Sequence, residues 1–139
     1  QTCALPIYRC TTVEEMDVRE RFDIVLAMEV VEHVVDVGAF IKRCAVMLKP
    51  GGLMVVSTLN RNWKSFALAI VGAEYVLRWL PRGTHEWSKF VTPAELERYL
   101  GDVNLTVTEQ AGVVYNPLAD KWTVSTDMDV NYMVVAEEV

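Results

Sequence analysis

The chain is short of cysteine, of positive charge and of uninterrupted hydrophobic sequence, and each shortage removes a class of protein. Its three cysteines, Cys3, Cys10 and Cys44, are odd in number and show no CxxC or zinc spacing. Neither a disulfide framework nor a structural zinc is therefore indicated, and a reducing compartment is the simplest setting. Thirteen Lys and Arg stand against nineteen Asp and Glu, a net charge of −6, which argues against a nucleic-acid partner because phosphate binding needs a basic face. The longest apolar stretch, SFALAIVGAEYVLRWL, runs about 16 residues and includes Glu74 and Arg78; a spanning helix wants roughly 20. No basic region followed by an apolar one marks a signal peptide. Also absent is any glycine-rich stretch ahead of FDIVLAMEV, the one double glycine being Gly51 and Gly52.

What is present is enough for one core. Hydrophobic residues make up 52% of 139 and charged residues 23%, the composition of a single globular domain rather than a disordered chain. FDIVLAMEV carries the continuous apolar run of a buried parallel strand covered on both faces. AFIKRCAVML follows with apolar residues mostly at helical spacing, Asp36 standing as its N-cap. KPGG (49–52) ends that helix and forces a turn, and LMVVSTLN is a second buried strand. Strand, helix and strand with short connections predict a right-handed parallel crossover. TPAELERYL is a short helix with Thr92 as N-cap, Pro93 in its first position and Glu95 in its third. LTVTEQAGVVY and VNYMVVAEE alternate as two further strands, joined by NPLADKWTVSTDMD, and suggest an antiparallel hairpin at the edge of the sheet.

Two polar motifs fall at strand ends. MEVVEH (28–33) follows the first strand with two carboxylates and an imidazole, and STLNRN (57–62) closes the second. In an α/β sheet the ligand crevice lies beyond the carboxyl ends of the strands, so both motifs are placed for chemistry. The bland alternative for Glu29 and Glu32 is a solvated strand-to-helix turn, with His33 capping a backbone carbonyl. The cluster is not a zincin motif, which needs HExxH or HxxEH on a helix.

The order of apolar strand, ExxEH, helix, LKPGG, apolar strand and STLNRN resembles the second half of a class I S-adenosylmethionine-dependent methyltransferase. MExxEH with STLNRN, VGAEYxxRxxPxGTH, KF, a proline-led helix, YNP and DVNYM narrows the resemblance to the ubiquinone-biosynthesis O-methyltransferase family, over roughly residues 8 to 135. The fold it implies is an α/β, Rossmann-like sheet truncated at the N-terminus, with a C-terminal antiparallel hairpin, all within one partial domain spanning residues 1–139. Residues 1–7 resemble nothing in the family and read as a foreign junction or a sequence-assembly artefact, while Tyr8 to Met16 resemble the segment where the family contacts adenine. Val35 and Val37 stand where the family usually has prolines. The activity implied is methyl transfer from S-adenosylmethionine to a phenolic hydroxyl of a polyprenylated catechol or demethylated ubiquinol. Met28 is carried over as a cofactor-pocket residue, and Glu29, Glu32 and His33 as ligands of a divalent cation, commonly magnesium.

That chemistry suits the residue types. A phenol must be at least partly deprotonated to attack a methyl sulfonium, and a histidine base or a cation can achieve this. Were residues 29 to 33 to form one helical turn, positions 29, 32 and 33 would share a side and could face one magnesium ion. His33 and Glu29 are the catalytic expectations, and His85 is a second histidine candidate, as readily an exposed loop residue. A chain without the glycine-rich turn is expected to bind the cofactor weakly or not at all and to be inactive alone, with the edge of FDIVLAMEV exposed.

Residues 63–90 hold a helix and lid expected to face the substrate or a membrane. On a helical wheel Lys64, Glu74 and Arg78 lie on one narrow side, while apolar and aromatic residues fill the rest. Residues 60–90 carry five basic against two acidic side chains, +3, which leaves −9 for the remainder. This suits a helix, 63–80, lying on an anionic membrane surface; the plain alternative is a core helix packed on the sheet. Expected partners are the prenylated substrate, that surface and other ubiquinone-biosynthesis proteins, with a cytoplasmic location at the inner face of the membrane. The rival function is a membrane-binding or protein-interaction module without chemistry of its own. A nucleotide-dependent oxidoreductase lacks its GxGxxG here.

Overall fold

The computed structural model describes residues 6–67, 86–116 and 119–138. Five strands form one mixed sheet in the order β1-β2-β5-β3-β4. β1 (Phe22–Met28) pairs in parallel with β2 (Leu48–Leu59) through the crossover helix α1 (Val37–Val46). Asp36 caps that helix as its sequence predicts, Oδ1 accepting from the Ala39 N–H at 2.9 Å.

KPGG is less a break than a distortion inside β2. Phe22 pairs with Leu48 and Ile24 already with Leu53, so the four residues bulge out of the ladder. Gly51 takes φ +71°, and a Cβ on Gly52 would lie 2.9 Å from the Lys49 carbonyl and 3.1 Å from that of Asp23. Glycine is required there because two backbones meet.

β3 (Leu105–Asn116) and β5 (Asn131–Glu138) are the two expected C-terminal strands, but they are arranged differently from a simple edge pair. β5 inserts between β2 and β3, antiparallel to both, and the connection contributes a further strand, β4 (Lys121–Ser125), that turns back on β3. The edge hairpin is therefore β3–β4. Gly112 of β3 lies directly beneath the chain running into β5, since a Cβ there would sit 1.7 Å from the Asp127 carbonyl oxygen.

α1 and α3 (Pro93–Gly101) pack on one face of the sheet. Thr92 and Glu95 form the reciprocal capping box that opens α3, with Pro93 in its first turn. Ile41 and Cys44 of α1 and Leu96 and Leu100 of α3 bury against Ala27, Met54, Val56, Tyr132, Val134 and Ala136 of the strands. The other face differs from the expectation that β1 is covered on both sides. Ile24, Leu26 and Met28 alternate onto it and are 54%, 65% and 45% exposed, and β1 is an edge strand.

The N-terminal segment lacks regular structure; Val13 packs against the core, and Arg43 ties the segment down. Arg43 donates to the carbonyls of Val13, Glu14 and Met16 at 3.1, 3.0 and 2.5 Å. Among the described residues no helix is long and apolar enough to cross a membrane.

Candidate active site

β1 and β2 end side by side, Met28 in register with Ser57, so the MEVVEH and STLNRN motifs meet. Glu29 closes β1 in the left-handed region at φ +53°, a conformation that disfavours side chains with a Cβ. Ser57 holds it there. The Glu29 N–H points at both the Ser57 carbonyl, 3.0 Å, and the Ser57 Oγ, 3.2 Å, while the same Oγ donates to Glu29 Oε1 at 2.9 Å.

The chain then enters a single 3₁₀ turn, Val31–His33, which buries Val31 and Glu32. Glu32 is 3% exposed. Its Oε2 accepts a hydrogen bond of 2.6 Å from the Thr58 hydroxyl. Its Oε1 is buried with no hydrogen-bond partner among the described residues, and the Nε2 of the half-exposed His33 ring stands 3.9 Å from that oxygen. A buried carboxylate oxygen without a donor is costly and calls for a proton or a cation.

The arrangement corrects one expectation. Residues 29 to 33 do not form a common helical turn: Glu29 is left-handed, and the turn begins at Val31. Ser57 and Thr58 are adjacent strand positions and point to opposite faces of the sheet, so Glu29 and Glu32 are held from different sides. Among the described residues no group of three His, Cys, Asp or Glu side chains is placed to hold a metal ion, and the proposed magnesium set does not fit as it stands. Met28, carried over as a cofactor contact, ends β1 on the exposed face. His85 and residues 68–80 of the expected membrane helix lie outside the described residues; the start of that helix, α2 (Trp63–Ser65), is described.

The rest of STLNRN works as a junction. Asn60 donates its side chain to the Met128 carbonyl and its N–H to the Val130 carbonyl, at 3.0 and 2.8 Å. Asn62 donates to the Asp129 carbonyl at 2.6 Å and caps α2 through a reciprocal bond with Ser65. Arg61 reaches the Phe90 carbonyl at 3.0 Å and pairs with Glu95. Lys64, one of the basic residues expected to face a membrane, is engaged by Asp127 and Asp129 at 2.7 and 3.0 Å, bonds that hold its ammonium above the ordinary lysine range. Beside it Trp63, Phe66 and Trp87 form a triangle of rings with centroids 6.1 to 6.3 Å apart.

The sequence reading places Ser57 and Thr58 within a site motif but gives them no role of their own, and it gives none to Tyr132. The Tyr132 hydroxyl, fully buried, donates to the Val91 carbonyl at 2.9 Å; burial and then the charges of Glu95, Glu32 and Glu29 push its ionisation up. A hydroxyl pair at the strand end next to an acidic cluster was the available signal.

The sequence profile of a family described as "Methyltransferase domain" matches residues 9–110. A protein of Bradyrhizobium diazoefficiens named ubiquinone biosynthesis O-methyltransferase is 85% identical over 130 residues, covering 94% of this chain and 51% of its own length. One of the same name from Rhodopseudomonas palustris strain BisB18 is 80% identical over 130 residues, again covering 94% and 51%. The chain thus spans about half the length of the curated relatives it matches. Among solved structures, a SAM-dependent methyltransferase of Thermotoga maritima superposes with TM-score 0.62 at 14% identity, over 93% of this chain and 62% of that one. Magnesium protoporphyrin IX methyltransferase of Synechocystis PCC 6803, with bound SAH, superposes with TM-score 0.61 at 13% identity, over 93% and 49%. The fold is thus shared with S-adenosylmethionine-dependent methyltransferases, and the chain belongs to the methyltransferase-domain family.

Proposed function

We propose that the chain is the carboxyl-terminal part of an S-adenosylmethionine-dependent O-methyltransferase of ubiquinone biosynthesis, acting on a phenolic hydroxyl of a polyprenylated catechol or demethylated ubiquinol. The names of the relatives support this reading, and one observation carries its chemistry: the orphaned, buried Glu32 Oε1 beside the His33 ring. His33 takes the phenol's proton. The Glu32 carboxylate lies 3.9 Å from the ring nitrogen that receives it. The cofactor supplies an electrophilic methyl group: as the phenoxide forms its O–C bond, the C–S bond breaks and its electron pair stays on sulfur. Met28, exposed at the end of β1, presents a thioether wall to that methyl donor, and Glu29 borders the same strand end. Magnesium bound by Glu29, Glu32 and His33 remains the family's implication. Glu29 is held by Ser57 and Glu32 by Thr58, adjacent residues that point to opposite faces of the strand.

The test uses a fusion in which residues 8–138 replace the matching segment of the Bradyrhizobium diazoefficiens relative. His33→Ala is expected to lower kcat by about 10²- to 10⁴-fold, the range for loss of a general base; kcat within twofold of the parent would sink the assignment. The 139 residues alone are expected to show no micromolar S-adenosylhomocysteine binding by titration calorimetry.

A second reading, attachment to an anionic membrane surface, is favoured by Trp63, which is 80% exposed on the aromatic triangle in the manner of interfacial aromatic anchors. Flotation of the fusion with anionic liposomes, lost in Trp63→Ser, is the expected outcome. Such attachment would place the enzyme at the cytoplasmic face, where a prenylated substrate and other ubiquinone-biosynthesis proteins meet it.

A further inference from the structure

Residues 8–21 reach the sheet as irregular chain, yet they are well bonded among themselves. The Glu15 carboxylate accepts from the Thr11 hydroxyl and the Thr12 N–H at 3.2 and 3.3 Å, and the Glu15 N–H donates to the Thr12 carbonyl at 3.2 Å. Arg9 pairs with Glu20, and Arg19 with Asp17. Among the described residues, the hydrogen bonds of this segment close within it, apart from those donated by Arg43 of α1 to the carbonyls of Val13, Glu14 and Met16. We propose that residues 8–21 form a strap that detaches from α1 as one unit while the sheet stays folded, with Arg43 as its fastener and the Cys44 thiol as the group that opening uncovers.

Three features support it. A segment whose polar contacts are internal keeps them when it leaves, so opening breaks only the Arg43 bonds and the seat of Val13 against the core, the pattern of a local rather than a global unfolding. A guanidinium presents its donors in one planar fork, so a single side chain spans the carbonyls from Val13 to Met16. Because those acceptors are main-chain oxygens, the fastening is indifferent to the side chains of the strap. Cys44 follows Arg43 on α1, is 3% exposed, belongs to the cluster on which Val13 packs and feels the charge of Glu14. The strap therefore lies on the thiol's side of the helix.

The 139-residue chain carrying Cys3→Ser and Cys10→Ser tests this, since Cys44 is then its one thiol. Labelling by an aromatic disulfide reagent, DTNB, is followed at rising urea below the unfolding transition seen by tryptophan fluorescence. The rate is expected to change by less than about threefold over that range, because opening a strap exposes little surface. Arg43→Met removes the donors and is expected to raise the rate about tenfold or more, the scale of hydrogen bonds to a charged group. Lys42→Met removes an exposed cation on the same turn of the helix and is expected to leave the rate within about twofold, as for a surface site without such bonds. Labelling that climbs with urea as steeply as global unfolding would overturn the proposal, because Cys44 would then be reached only through the unfolded chain. A rate unchanged in Arg43→Met, or raised as much in Lys42→Met, would overturn it as well.

Discussion

Cys44 carries a pH signature that follows from its place in the core. Burial, and after it the charge of Glu14, push its thiol from 9.0 up to about 11. The folded state therefore keeps a proton that the unfolded state gives up first. Stability is full below about pH 9 and declines above it by about 1.4 kcal/mol per pH unit, until the folded thiol itself ionises near 11. Tyr132, whose hydroxyl burial also pushes up, adds its own loss only above about pH 10. Urea midpoints of Cys44→Ala between pH 8 and 10 should thus fall less steeply than those of the parent chain; equal slopes would contradict the shift. The same scale shows where sequence reading stops. Glu29, Glu32 and His33 were recognisable as a polar cluster at a strand end, but the left-handed backbone at Glu29 is imposed by Ser57, 28 residues away. No local spacing records such a contact.

Elements were legible where their causes are local. The Asp36 cap and the Thr92–Glu95 box need only neighbours within one turn, and both form as the residue types dictate. Strand order is non-local, which is why β5 lies between β2 and β3 and β4 emerges from a stretch that reads as a connection. Gly112 marks that rearrangement. Its missing side chain admits the Asp127 carbonyl, which a Cβ would meet at 1.7 Å, and the approach seats Asp127 and Asp129 on Lys64. Gly112→Ala must displace backbone rather than a flexible side chain and is expected to cost about 3 kcal/mol, the upper range for a single substitution. Chemical denaturation measures it, and a loss under about 0.5 kcal/mol, typical of an unconstrained surface site, would show that the segment before β5 yields freely.

At the scale of the whole molecule, among the described residues, helices cover one face of the sheet, while on the other face the β1 side chains are exposed. The described helices cover the side of Ala27, Met54 and Val56, while Ile24, Leu26 and Met28 meet solvent along an edge strand. An apolar strand with unpaired edge groups recruits another strand, so the 139-residue chain is expected to self-associate with rising concentration. Leu26→Lys places a charge mid-edge and should shift light-scattering masses toward the monomer; an unchanged mass distribution would locate association elsewhere. The same long-range wiring gives the STLNRN segment a property that its composition does not suggest. Ser57 serves Glu29, Thr58 serves Glu32, Asn60 and Asn62 serve the chain entering β5, and Arg61 serves the start of α3. Ser57 and Thr58 point to opposite faces of β2, and Asn60, Arg61 and Asn62 reach their partners from the turn beyond its end. Deleting or inserting one residue here would turn the whole set toward the wrong partners at once, so in this segment spacing is under tighter constraint than the identity of any single side chain.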